Sequence, residues 1–397
     1  MNDTVKRTLN HAEGRLHHRA DAHATGSVTV ERIDLANRWE RVRFARTRVG
    51  RWSSRRSVDA PSLLGETYRL DPRNSPALSC AEALGLVARS GGQVVGRMVA
   101  LRPISSGDSA WFTRLALAGG PEVMAALAQE GARWAARKGA VRWLGPVGLM
   151  PGEICGVQVD GFVGRRMGDV PTSPRGMGST LTRAGFATAF ETGVWHLPIS
   201  ERRRVGGRVE TANVDLTNLE DDSELDWAEL IARLPATTDP VSRLACDPHR
   251  LRHELLRPAV QGGVSCALVG GSVAAFGMLR PVCTLTPGLA LPGWLVRLRQ
   301  WKRRSTAAEG QARVWVVAEH EGDEWLAGAV LDALTDRARR LGYGGIVVGP
   351  VGMDSHGTIT ALRDRGARLQ GRFQLYAQKI DPRWRLGKKV SVIQDGH

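Results

Sequence analysis

The sequence predicts an α+β fold made of two tandem copies of one unit, each a mixed, mostly antiparallel sheet flanked by helices. Two observations predict the duplication. Residues 86–103 and 266–281 both consist of an apolar segment, a Gly-Gly pair and a second apolar segment that ends at Arg-Pro, which is the pattern of a β-hairpin. Residues 141–150 and 346–353 share the sequence Gly-Pro-Val-Gly, and each follows an alanine-rich segment.

The remaining elements follow in the same order in both copies. Helices are predicted at about 122–138 and 324–341, because apolar residues recur there at helical spacing and a glycine follows. A second helix ends near Gly185 or Gly366, and a last strand is predicted at 192–197 or 374–380. Each copy therefore contains a hairpin, a strand, a helix, a strand, a helix and a strand.

These patterns divide the chain into five segments. We predict a flexible N-terminal tail, a first domain that begins with a basic segment, a polar linker, a second domain and a C-terminal tail, at residues 1–30, 31–199, 200–224, 225–382 and 383–397.

The composition is typical of a folded globular protein, with 42% hydrophobic and 24% charged residues among 397. No apolar run approaches the roughly 20 residues that span a bilayer, so no stable membrane insertion is expected. The five cysteines are scattered and never form a Cys-x-x-Cys pair. This argues against a disulfide framework or a metal site and favours the reducing cytoplasm.

The charge balance is strongly basic, with 55 Lys and Arg against 40 Asp and Glu, a net charge of +15. Residues 32–56 hold nine arginines and only two acidic residues, with aromatic residues between them. This segment is a candidate for binding a polyanion. The alternative is an amphipathic element whose aromatic residues pack on the core while its arginines stay solvated.

The order of elements resembles the N-acetyltransferase (GNAT) superfamily, and its doubling resembles tandem members, including the Fem-type aminoacyl-tRNA-dependent transferases. A more local similarity to a bacterial tandem family rests on short motifs: Asn74-Ser-Pro76, Val95-Gly96-Arg97, Val159-Asp-Gly-Phe162, Pro171-Thr-Ser-Pro174 and Gly185-Phe186. The resemblance covers roughly residues 60–380. It implies a cytoplasmic acyltransferase.

The resemblance also implies a place for the acyl donor, since superfamily members bind the pyrophosphate of acyl-CoA on a glycine-rich loop at a helix N-terminus. The first copy offers Gly119 and Gly120 there, but Glu122 follows, and the second-copy turn at 319–324 carries four carboxylates. Neither turn suits an anion. We therefore expect a charged tRNA as donor and no cofactor, with acetyl-CoA or acyl-CoA as the alternative. The predicted donor-binding residues are Gly119, Gly120, Arg41, Arg43, Arg46 and Arg48.

Acyl transfer to an amine needs a base, a proton for the leaving group and positioning of the reactants. Glu319 and His320, at the end of a predicted strand, are candidates for the base. The alternative is an acidic helix N-terminus, whose carboxylates complement the helix dipole. Tyr376 lies on the last strand, where superfamily members often keep a tyrosine that protonates the leaving group. The alternative is an ordinary half-buried strand tyrosine.

A long loop follows the first Gly-Pro and is a candidate for a substrate-binding wall. Asp160 is a candidate to bind the amine of the acceptor, and Arg165 with Arg166 to bind its phosphate or carboxylate. The alternative for Asp160-Gly161 is a simple tight turn.

The sequence thus predicts transfer of an aminoacyl group from charged tRNA to a small amine or hydroxylamine. A CoA-dependent N-acyltransferase and a non-catalytic binding protein are the alternatives.

Overall fold

A computed structural model describes residues 27–47, 49, 63–104, 108–149, 153–162, 173–199, 214–218, 264–269, 272–281, 311–318 and 324–386. The first half contains β1 (Thr29–Ile33), α1 (Arg38–Arg46), α2 (Leu63–Arg69), α3 (Pro76–Ser79), β2 (Ala81–Ser90), β3 (Gln93–Pro103), β4 (Ser109–Leu117), α4 (Pro121–Ala136), β5 (Arg142–Gly145), β6 (Val157–Asp160), α5 (Met177–Arg183) and β7 (Ala187–Pro198). The second half contains β8 (Val214–Asn218), β9 (Val264–Val269), β10 (Ser272–Pro281), β11 (Gln311–Ala318), α6 (Glu324–Arg340), β12 (Gly345–Gly352), α7 (His356–Asp364), β13 (Arg368–Lys379) and a short 3₁₀ helix (Pro382–Leu386).

These elements confirm the predicted α+β class and the tandem repeat. The predicted hairpins β2–β3 and β9–β10 form, and the helices α4 and α6 follow β4 and β11, the strands after the hairpins. Both Gly-Pro bonds of the repeat, Gly145-Pro146 and Gly349-Pro350, are cis. None of the described helices has the length and apolar character needed to cross a bilayer.

The helix α4 shows why the alanine-rich segments fold as predicted. Pro121 stands at the start of the helix, where its missing N–H costs nothing. One face of the helix is buried on the sheet, and it carries Val123, Met124, Leu127, Ala128, Ala132 and Ala135. This spacing of three and four residues is that of a helix packed on one side.

The last strands are longer than the hydrophobic pattern predicts, because the first residues of each strand pair with the last residues of the other. β7 begins at Ala187 and β13 at Arg368, whereas the pattern places their starts near 192 and 374. Residues 368–372 are mostly polar, so the hydrophobic pattern does not predict a strand there. The pairing of β13 with β7 keeps them in the sheet. β6 likewise forms within the predicted loop.

The strands form one sheet, in the order β1-β2-β3-β4-β5-β13-β7-β12-β11-β10-β9-β8, with β6 also paired to β13. The two last strands are exchanged between the halves: β13 lies between β5 and β7, and β7 lies between β13 and β12. Each half therefore completes the sheet of the other. The predicted domain boundaries treat the halves as separate and remain predictions.

The exchange places an approximate two-fold axis between the last strands. Thr192 stands seven residues after Gly185, and Phe373 stands seven after Gly366, and the two residues are paired across β7 and β13. The Phe373 side chain is fully buried with Ile154, Val194 and Val347, which belong to both halves. This small cluster joins the larger cores of the two halves.

Replacing Phe373 with alanine should destabilise both halves together. Loss of a fully buried phenylalanine costs about 3–5 kcal/mol of unfolding free energy, and the shared sheet should keep unfolding in a single transition. Urea unfolding followed by circular dichroism measures this. The control is Ile104→Ala, because Ile104 is 71% exposed and its loss should change stability by about 0.5 kcal/mol at most. Separate unfolding of the halves in F373A would contradict the role of the exchanged strands.

Candidate functional site

A pocket of about 390 Å³ lies in the first half, where α5, β6, β7 and β13 meet. Its described lining is mostly uncharged: glutamine, serine and threonine side chains, glycine backbone, and the apolar groups of Val159 and Phe162. Among these lining residues Arg183 is the only charged one. The size and the mixed lining suit a small molecule.

Tyr376 forms the base of this pocket. Its side chain is almost fully buried, and its backbone lies between Gly145 of β5 and Thr188 of β7. Its Oη donates a hydrogen bond to Gln374 Oε1 at 2.9 Å. Gly178 of α5 leaves the room for the hydroxyl, since a Cβ at this position would lie 2.5 Å from Tyr376 Oη.

Burial raises the pKa of Tyr376 above its ordinary value, because the phenolate would lose its hydration. A hydrogen bond with Thr188 acts in the opposite direction, and the negative charge of Glu191 raises the pKa further. Tyr376 therefore carries its proton throughout the neutral range. It is suited to donate a proton, not to accept one.

A chain of hydrogen bonds connects Tyr376 with Asp160. Gln374 Nε2 donates to Glu191 Oε2 at 3.2 Å, and Arg372 Nη1 donates to Glu191 Oε1 at 3.2 Å. Arg372 Nε then donates to Asp160 Oδ2 at 3.3 Å. The structure thus joins two of the predicted site residues through side chains of β13, from the second half, and β7, from the first.

The equivalent position in the second half is apolar. Counted from the glycine that follows α5 or α7, Trp195 occupies the position of Tyr376. Tyr376 is paired with Thr188, and Trp195 is paired with Leu369, the residue equivalent to Thr188. The first half therefore has a polar pair at the position where the second half has an apolar pair.

Bulky side chains also fill the space that the pocket occupies in the first half. Ile359, which is buried, stands at the position of Gly178. A Cβ added at Gly193 would lie 3.0 Å from atoms of Leu369, Met353 and Trp195. Because these residues take up the room, the candidate site belongs to the first half.

The regular pairing of β4 with β5 ends next to Tyr376. This parallel pairing covers Ser109–Trp111 and Arg142–Leu144, and Tyr376 is paired with the next residue, Gly145. Past Gly145 the two segments stay bonded, since the Val147 N–H donates to the Phe112 carbonyl at 2.8 Å. Arg114 of β4 then has a φ of +52°, next to a shift in register against β3.

The structure resembles a tandem GNAT protein from the clavulanic acid biosynthesis pathway, with a TM-score of 0.51, 14% identity, and coverage of 90% of this chain and 99% of that one. The chain has a tandem GNAT fold. Weaker similarities include Eis1 from Mycobacterium abscessus (TM-score 0.42, 13% identity, 89% and 74% coverage) and a GCN5-related N-acetyltransferase from Anabaena variabilis (0.47, 9%, 89% and 73%). No protein-family model and no curated protein sequence matches the chain. The predicted tandem GNAT resemblance is confirmed, and the Fem-type resemblance stays a prediction.

The start of α4, where the resemblance places the donor pyrophosphate, holds a carboxylate of the chain itself. Gly120 is the N-cap residue, and its N–H donates to Glu122 Oε1 at 3.0 Å. An incoming phosphate would meet this negative charge. The turn at Gly119 and Gly120 therefore does not fit a pyrophosphate as it stands.

The basic segment of the GNAT-like first half is partly used by the fold. Arg41 is buried, and its guanidinium donates to the Leu35 and Ala36 carbonyls at 2.8 and 3.0 Å and to Asp71 at 2.8 Å. Arg43 pairs with Glu31 and Glu40 at 2.7 and 3.2 Å, and Arg46 is exposed. Arg41 thus has a structural role, and donor binding by Arg43 and Arg46 stays a prediction.

One aromatic residue of this segment packs on the core, as an amphipathic element would, and another is exposed, as polyanion binding would need. Phe44 is fully buried beneath Arg97, whose guanidinium lies 5.2 Å from the ring centroid, whereas Trp39 is 78% exposed.

Five of the predicted site residues lie outside the described residues: Arg48, Arg165, Arg166, Glu319 and His320. No three His, Cys, Asp or Glu side chains come together as a metal would require in the part of the chain that is described.

The sequence contains a signal that locates the missed site residues. Polar side chains alternate along β13 at positions 368, 370, 372, 374, 376 and 378, which is the period of one face of a strand. Applied to Tyr376, this alternation predicts Gln374 and Arg372 as its neighbours. Their partners Thr188 and Glu191 follow only from the exchange of strands, and Arg183 from the packing of α5.

A cluster of buried charges lies on β4 beyond its pairing with β5. Arg114 Nε lies 3.7 Å from Glu66 Oε2, and its Nη2 lies 3.8 Å from Glu153 Oε1. Arg97 and Arg69 add ion pairs of 3.6 Å to Glu66 and 3.2 Å to Glu153. Burial alone would lower the pKa of Arg114, but the two carboxylates outweigh it and raise that pKa. The cluster ties α2, β3 and β4 to the loop before β6.

Neutralising Glu66 should destabilise the first half. Its side chain is 4% exposed, so Glu66→Gln leaves Arg97 and Arg114 without their shared counterion, at a cost of about 3–5 kcal/mol. The matched control is Asp336→Asn, which removes the exposed partner of Arg339 on α6 and should cost at most about 1 kcal/mol. Urea unfolding compares the two variants. Equal losses would show that the buried cluster does not hold these elements together.

Proposed function

We propose that the chain is an acyltransferase that moves an acyl group from a CoA thioester to a small amine, with its reaction site in the first-half pocket. One observation carries the proposal: a buried, protonated phenol in the lining of a polar pocket. The tandem GNAT fold favours the same chemistry. The filled position around Trp195 argues that the second half supplies the exchanged strand and not a second reaction site.

The proposed role of Tyr376 is to protonate the leaving group. A CoA thioester, when bound, supplies an acyl carbon activated for attack by an amine. Tyr376 holds a proton at Oη, and its raised pKa keeps that proton in place until a stronger base forms next to it. Gln374 positions the hydroxyl, and Glu191 and Arg372 fix the Gln374 amide.

The contacts of the basic segment at residues 32–56 favour CoA over charged tRNA as the donor. Arg41 is buried in the fold and Arg43 is engaged by two carboxylates, so the segment offers fewer free cations than its composition indicates. The pocket lining of hydroxyl, amide and guanidinium groups suits a thioester arm with an anionic end. Transfer from tRNA stays the alternative that the sequence predicts.

Tyr376→Phe should lower kcat by about 10²-fold or more, the usual contribution of a general acid, with little change in KM. Release of free thiol from acetyl-CoA, assayed against a panel of small amines, measures this. Tyr343→Phe, in the second half, is the matched control and should keep full activity.

The pH profile supplies a second test of the same residue. Because the pKa of Tyr376 is raised, kcat should hold through neutral pH and fall only as alkaline pH removes the phenolic proton. This alkaline limb should be absent from the residual activity of Y376F. An unchanged kcat in Y376F, or an alkaline limb that it retains, would contradict proton donation by Tyr376.

A further inference from the structure

We infer that Arg183, at the mouth of the first-half pocket, binds the phosphate end of the donor, in place of the N-terminus of α4. This inference rests on the proposed function. It assigns a phosphate-binding residue on a different helix from the one that the resemblance implies. Three observations support it: the occupied start of α4, a cation in the pocket lining with no ion pair to any described residue, and the absence of a competing carboxylate in the described lining.

The first observation is electrostatic. The start of a helix leaves a few backbone N–H groups without a partner inside the helix. At the start of α4 one of these, the Gly120 N–H, donates to Glu122 Oε1. The carboxylate complements the positive end of the helix dipole. A phosphate at this place would lose that donor and lie within a few ångströms of a like charge, which is repulsive even when partly screened.

The second observation concerns Arg183, in the last turn of α5. Its side chain lines the pocket, is exposed to solvent and forms no ion pair or hydrogen bond with the described residues. Arg372, on the neighbouring strand, is by contrast bound to two carboxylates. Arg183 is therefore a cation available to a ligand in the pocket.

A second guanidinium lies next to a residue of the pocket lining. Arg175 is placed 5.7 Å from the centroid of Phe162, a residue of the pocket lining. The nearest carboxylates of the network, Asp160 and Glu191, are both bonded to Arg372, which reduces their effect on the pocket. The charge at the mouth thus favours an anionic group, because a planar guanidinium can bind phosphate oxygens with two N–H groups.

The pocket gives such a ligand a direction. Within the lining Tyr376 is almost fully buried, whereas Arg183 is exposed to solvent. A donor with its reactive group at Tyr376 would place its anionic end at Arg183. A carboxylate also pairs with a guanidinium, so an acidic acceptor is a second possible ligand of Arg183. The experiment distinguishes this acceptor from the donor phosphate.

Isothermal titration calorimetry with CoA and with pantetheine, which lacks phosphate, tests the inference. Arg183→Gln should weaken CoA binding by about ten-fold or more, as loss of a charge-assisted hydrogen bond does, and leave pantetheine binding unchanged. Arg183→Lys should restore part of the loss. The matched control is Arg142→Gln, since Arg142 is exposed on β5 away from the pocket.

Other results would overturn the inference in distinguishable ways. If R183Q binds CoA as wild type does and Glu122→Gln binds it more tightly, the phosphates lie at α4, and acyl transfer from acetyl-CoA would persist. If R183Q affects only the KM of an acidic amine, the cation serves the acceptor. If the wild-type protein binds neither CoA nor pantetheine, the proposed CoA donor fails together with the inference.

Discussion

The exchange of the last strands joins the two halves in one sheet and forms the candidate site between them. Because β13 of the second half inserts between β5 and β7 of the first, the sheet is continuous and neither half has a complete sheet without the other. The candidate site is a direct consequence. Tyr376, Gln374 and Arg372 come from β13, whereas the helix and strands around them belong to the first half.

The same exchange makes the two halves comparable residue by residue. The pairing of β7 with β13 is symmetric about Thr192 and Phe373, so each position in one half has a defined equivalent in the other. The backbone is repeated, but the side chains have different chemistry. Gly178 and Tyr376 leave a polar pocket in the first half, while Ile359 and Trp195 fill its equivalent in the second. Among the described residues, the first half therefore keeps a pocket at a position that side chains fill in the second half.

Much of the fold could be predicted from the sequence because its signals are local. The Gly-Gly hairpins, the alanine-rich helices and the Gly-Pro-Val-Gly repeats each report on a few neighbouring residues, and they place Tyr376 on the last strand correctly. The exchange could not be predicted, since hydrophobic periodicity shows which residues form a strand but not which strand pairs with it. The charged cluster of Arg114, Glu66 and Glu153 was missed for a related reason, because its members are far apart in sequence. Glu122 stands two residues after Gly120 in the sequence, and the structure places its carboxylate on the Gly120 N–H.

We propose that one pocket, built from both halves, receives the acyl donor. A crystal structure of the protein with bound CoA would test this. It should contain one CoA molecule per chain, with its thiol beside Tyr376 and its phosphates beside Arg183 in the first-half pocket. CoA bound beside Trp195 in the second half, or away from Tyr376 in the first, would contradict it.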